Sequence, residues 1–141
     1  MAGSGTQAHC TYQIHDHPVL FVEYTLYDNS YAAINELMDC YEESYRSGRY
    51  QPGAPVRMLY SININGFLPI YYLYQRANQW RESHPEYQPA HLYIATVHAD
   101  LHPIRATLIK AFSRFLKDPK MTLQHFPQDR AAAIAWLSEQ K

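Results

Sequence analysis

The last twenty residues constrain the fold most. Met121, Leu123 and His125 alternate with Thr122, Gln124 and Phe126, the two-residue period of a strand. Pro127 has no N–H to give and closes that ladder. Gln128 and Asp129 then open a helix whose alanine run ends in Ala135, Trp136 and Leu137. Ala133, Trp136, Leu137 and Gln140 share one helical face, so Trp136 can plug against a sheet. Strand, sharp turn and short helix in that order predict a small α/β domain closed by a β-α unit. The segment carries no chemistry of its own.

The same periods run through the rest of the chain. Strands are expected over Cys10 to Ile14 and Val19 to Tyr27, around the turn His15-Asp16-His17-Pro18, with Leu20, Val22, Tyr24 and Leu26 on one side. Asp28-Asn29-Ser30 starts a helix, because these side chains accept from unbonded N–H groups at a helix start. Ile34, Leu37, Met38, Tyr41 and Tyr45 form its apolar stripe, and Gly48 ends it. Gln51 to Pro55 reads as a loop. Val56 to Ile64 is the most strand-like run, and Asn65-Gly66 breaks it. Pro69 opens a second helix with Ile70, Leu73, Ala77 and Trp80 inward, ended by His84-Pro85. His91 to His98 is a strand, and Leu101 to Leu116 a further helix stopped by Asp118-Pro119.

The expected class is α/β, a single domain of order β-β-α-β-α-β-α-β-α. Its mixed, mostly parallel sheet carries an N-terminal β-hairpin and four helices. Residues 1–9 read as a disordered leader and 10–141 as the domain. At 141 residues the chain builds a core without disulfide or metal staples. A formal net charge of −1 with scattered Lys and Arg argues against a nucleic-acid surface. No apolar run approaches a membrane span, and the small, polar start lacks the core of an export signal. A cytoplasmic setting follows as the expectation, with Cys10 and Cys40 as reduced thiols.

Catalytic and metal motifs are weak. His98 and His102 flank Asp100, but the first ends a strand and the second begins a helix. His15 and His17 form a second pair, and zinc wants four ligands, so no metal site is assigned. There is no glycine-rich phosphate loop, no G-x-S-x-G elbow and no basic setting around either cysteine. No catalytic residue and no cofactor are expected. The stronger signal is thirteen tyrosines. Tyr31, Tyr41 and Tyr45 lie on the first helix, and Tyr71, Tyr72 and Tyr74 on the second. Tyr71 and Tyr74 point away from the inward stripe, which makes Tyr71, Tyr72 and Tyr74 a candidate dimer interface.

Several stretches together resemble a known family. They are VLFVEYTLYDNSYAAINEL, VRMLYSINI, HLYIATV and QHFPQDRAAAIAWL. In order and spacing they resemble the SpoIIAA-like branch of the STAS domains, the fold of bacterial anti-sigma-factor antagonists, over Tyr12 to Gln140. The resemblance implies a cofactor-free regulatory module acting through protein contacts or a small ligand. Classical antagonists carry a phosphorylatable serine in an Asp-Ser segment after the central strand. Ser61 to Phe67 occupies that place without an Asp-Ser pair, so no phosphoswitch is carried over. Some relatives resemble the lipid-binding lobe of Sec14-type proteins, which gives an apolar-ligand carrier as the alternative.

Ligands of open α/β sheets sit beyond the carboxyl ends of the strands. Asn63, Asn65, Gly66 and Phe67 are accordingly the expected interaction loop. Ser61, His98 and His102 are a candidate strand-end pocket.

Overall fold

Five runs of alternating residues pair into one sheet of order β1-β2-β3-β4-β5. They are β1 (Cys10–His15), β2 (Phe21–Leu26), β3 (Val56–Ile62), β4 (Leu92–His98) and β5 (Met121–Pro127). The computed structural model describes residues 8–49, 53–64, 69–87, 89–98 and 120–140. The short link between β1 and β2 makes them antiparallel, with Tyr12 opposite Tyr24. The remaining pairs are parallel, an arrangement that a tight hairpin turn cannot connect.

Helix α1 (Tyr31–Arg46) begins where the capping cluster predicts. The Ser30 hydroxyl accepts from the Ala33 N–H, and the Asp28 carboxylate in turn accepts from the Ser30 backbone N–H at 2.9 Å. Its stripe of Ile34, Leu37, Met38, Tyr41 and Tyr45 is buried. It packs on the face of the sheet formed by Val22, Tyr24 and Leu26 with Val56, Met58, Tyr60, Ile62, Leu92 and Ile94. Helix α2 (Ile70–Ser83) adds Leu73 and Trp80 to that core from beside α1, and a 3₁₀ turn (Pro85–Tyr87) follows it.

The opposite face is smaller. Phe21, Leu59, Ala95 and Val97 meet Ala133 and Leu137 of helix α3 (Arg130–Glu139). Trp136 lies between Tyr93 on β4 and Phe126 on β5, with ring centroids 6.3 and 5.9 Å away, so it packs against the sheet as the sequence suggests. Fully burying a side chain such as Leu137 contributes roughly 1.5–3 kcal/mol.

Some expected strand bounds need correction. β2 starts at Phe21 rather than Val19, and β3 ends at Ile62 rather than Ile64. The Asn63 N–H still donates to the Leu26 carbonyl at 2.9 Å, but β2 ends at Leu26 and the ladder stops with it. His9, next to the expected domain start, is tied to it. The His9 N–H donates to Glu36 at 2.8 Å, its carbonyl accepts from Tyr27, and its ring pairs with Asp28. Of the four expected helices three lie among the described residues; the run Leu101 to Leu116 lies outside them.

Candidate functional site

Strand alternation separates the residues expected to share a strand-end pocket. Ser61 stands beside Thr25 and Val97, on the α3 side of the sheet. His98 stands beside Ile62, on the α1 side. Neighbouring residues in register share a face, so Ser61 and His98 point in opposite directions and do not line one cavity. His102 lies outside the described residues. His98 is buried at 5% exposure, its ring edge-on to His125 at 5.2 Å. His125 Nδ1 is in turn 2.8 Å from the Thr96 hydroxyl. Asn63 is exposed just past β3; Asn65, Gly66 and Phe67 of the expected loop lie outside the described residues.

Ser61 donates to Glu23 Oε2 at 2.6 Å. Glu23 also accepts a two-pronged contact from Arg130, Nε at 3.0 and Nη2 at 2.6 Å, and lies 3.0 Å from His15 Nε2. Burial pushes the Glu23 carboxyl up. Hydrogen bonds from Arg130 and Ser61, the Arg130 charge and His15 outweigh it and hold the group down to about 2. A nucleophilic serine needs a base to take its proton, and a carboxylate this acidic is a poor one. The cluster instead joins β1, β2 and β3 to the first residue of α3. Arg57 of β3 closes the other end of that helix, donating to the carbonyls of Leu137 at 3.2 Å and of Gln140. A cation at a helix C-terminus is also favoured by the helix dipole.

On the other side of the sheet, aromatic rings join α1 to α2. Tyr31, the first residue of α1, stacks on Tyr72 with centroids 4.1 Å apart and planes 8° from parallel. The Tyr72 hydroxyl donates to Asn35 Oδ1 at 2.7 Å, and Arg76 Nε donates to the same oxygen at 3.2 Å. Tyr72 is therefore committed to the α1–α2 seam. Tyr71 is 76% exposed and Tyr31 60%, with Tyr74 at the margin of exposure. Tyr45, Tyr87, Trp80 and His84 continue the seam as a stacked array. Beneath it the Tyr24 and Ser44 hydroxyls are 2.9 Å apart, and Tyr41 bonds Tyr60. Burial pushes both of those phenols up, Tyr60 to about 12, so both stay protonated.

A half-open groove of about 440 Å³ runs between α1 and α2, lined by Met38, Asp39, Glu42, Arg76, Gln79, Trp80, Ser83 and His84. Cys10 and Cys40, distant in sequence, are buried together. A hydrogen bond with Cys40, and then burial, push the Cys10 thiol far up, away from reactive thiolate. Among the described residues no three His, Cys, Asp or Glu side chains gather as a metal-holding group. None of the described helices is long and apolar enough to cross a membrane.

Sequence reasoning missed Glu23 and Arg130. Its signal is an acid set between Val22 and Tyr24 in a strand covered on both faces, where a buried charge must find a partner. No family model, curated protein or solved structure significantly matches the chain.

Proposed function

We propose that this domain is a non-catalytic, STAS-like interaction module. Its working face is the outer surface of α1 and α2, and its partner is a second copy of the chain. The observation that carries the reading is the exposure of Tyr71 and Tyr31, large rigid rings at 76% and 60% exposed on adjoining helices. Tyrosine supplies much contact area while ordering few bonds, and it is enriched in interface cores. Charge supports a self-complementary contact. Asp39 and Glu43 are exposed on α1, and Arg76 lies on the neighbouring flank of α2. In a two-fold pairing, α1 of one copy meets α2 of the other, so these charges can oppose one another.

Two described polar groups on the α3 side of the sheet are taken up by structure rather than chemistry. The Ser61 hydroxyl and the Glu23 carboxylate hold α3 in place. The alternative, a carrier of a small apolar ligand, draws less support from the α1–α2 groove, whose lining is mostly charged or polar. Native mass spectrometry of protein made in cells separates the two. The interaction reading expects a mass of two chains with nothing added. A single chain carrying a retained apolar mass would replace it with the carrier.

A further inference from the structure

Helix α2 ends at a histidine whose two ring nitrogens both meet acceptors. His84 Nδ1 lies 2.7 Å from the Trp80 carbonyl, and Nε2 lies 2.8 Å from Glu42 Oε1 on α1. A carbonyl and an ionised carboxylate only accept. A neutral imidazole has one N–H, so satisfying both partners takes the imidazolium. The backbone explains the first bond. The His84 N–H donates to the Arg81 carbonyl at 3.2 Å, and the ring takes the Trp80 carbonyl that the helical ladder leaves at its end. The ring is also held flat, 4.3 Å from Trp80 and 5.8 Å from Tyr87.

We propose that His84 is a proton-operated clasp: charged, it fastens the end of α2 to α1, and neutral, it lets that end loosen. On losing its proton the ring keeps one N–H, and a bare nitrogen lone pair then faces either Glu42 or the Trp80 carbonyl. Acids and arginines both surround it, with Arg76 of α2 lining the same groove. Glu42 and Asp39 stand on α1, with Arg46 3.1 Å from Glu42, and Tyr45 joins the ring stack from the same helix. Glu86 and Tyr87 stand on the 3₁₀ turn, and Arg81 on α2 itself. Burial pushes the imidazole down, but bonding to Trp80 and Glu42 and the charges of Glu42 and Glu86 leave it raised. A raised histidine stabilises the fold fully below its ordinary value, near 6.5, and loses that contribution as pH rises through its folded value.

If α2 loosens, the pairing surface that carries Tyr71 loosens with it, a consequence that rests on the interaction reading above. The clasp itself is independent of it. The test is a proton NMR titration of His84 in the full chain. Hydrogen exchange of α2 is followed alongside, with α3 as the internal reference for the intrinsic effect of pH. His84 should titrate above its ordinary value. As pH rises through its titration point the protection of α2 relative to α3 should fall roughly two- to fivefold, the range carried by a partly exposed charged pair. Glu42→Gln should lower the titration point and flatten the fall; His84→Gln should abolish the fall. Titration at or below the ordinary value, or a ratio that ignores pH in the unaltered chain, overturns the clasp. So does a fall that is undiminished in Glu42→Gln. A chain that never dimerises yet shows the fall sinks the pairing and leaves the clasp standing.

Discussion

Replacing Glu23 with glutamine keeps the side chain's volume and removes its charge, so no cavity confuses the result. Glu23 is 12% exposed by side chain and meets Arg130, Ser61 and His15. Its carboxyl is held at about 2 against an ordinary 4.5, because the Arg130 and Ser61 bonds, the Arg130 charge and the His15 bond outweigh the upward push of burial. That drop corresponds to about 3 kcal/mol at 1.36 kcal/mol per unit. Arg130 is half exposed and water screens its charge, so about 2 kcal/mol is expected. The sign follows from the lowered value. The contribution is fully present above the ordinary carboxyl range and is lost as pH falls towards the folded value. Urea unfolding of Glu23→Gln near neutral pH should therefore show the midpoint shifted by about 2 kcal/mol of stability with an unchanged slope. The gap between the two proteins should close on acidification. A loss under about 0.5 kcal/mol, within the range of a neutral surface change, would refute the reasoning. So would a gap that is the same at neutral and acid pH.

Leu137→Ala should cost about 2–5 kcal/mol in the same assay, because Leu137 is fully buried in the smaller core. A cost below about 1 kcal/mol would mean that α3 adds little to the fold. Tyr24→Phe removes the hydroxyl paired with Ser44, while Ser44 still donates to the Tyr41 carbonyl, so about 1 kcal/mol is expected. A neutral or stabilising result would show that bond to be dispensable. Asp129→Ala removes the acceptor for the Ala132 N–H at the start of α3 and should cost about 1 kcal/mol, read from thermal unfolding. An unchanged melting temperature would count against that cap.

The fold's order was legible because one side of the strands is more deeply buried than the other, as in β2, where Glu23 and Thr25 are only half-buried, so a two-residue period shows. Val22, Tyr24 and Leu26 alternate cleanly, and the α1 stripe recurs at helical spacing, so the elements could be placed. Strand ends were less legible. The limit of β3 depends on where β2 gives out at Leu26, which no local pattern in Val56 to Ile64 reveals. The site was read less well for a related reason. Ser61 and His98 both stand at strand ends, but which face each takes depends on the register across three strands. Tyr72 looked like its neighbours Tyr71 and Tyr74 until α1 brought Tyr31 and Asn35 against it. Partnerships such as Glu23 with Arg130, 107 residues apart, exist only once the chain has folded.

The central claim is that the α1–α2 face pairs two copies, and sedimentation velocity tests it most directly. The unaltered chain should sediment as a dimer that dissociates on dilution. Tyr71→Asp should shift it to monomer, because a charge in a dry contact is costly. Its melting temperature measured as a monomer should not change, since Tyr71 lies outside the core. An unaltered chain that remains monomeric at the highest attainable concentration would contradict the claim. So would a Tyr71→Asp variant that dimerises as tightly as its parent.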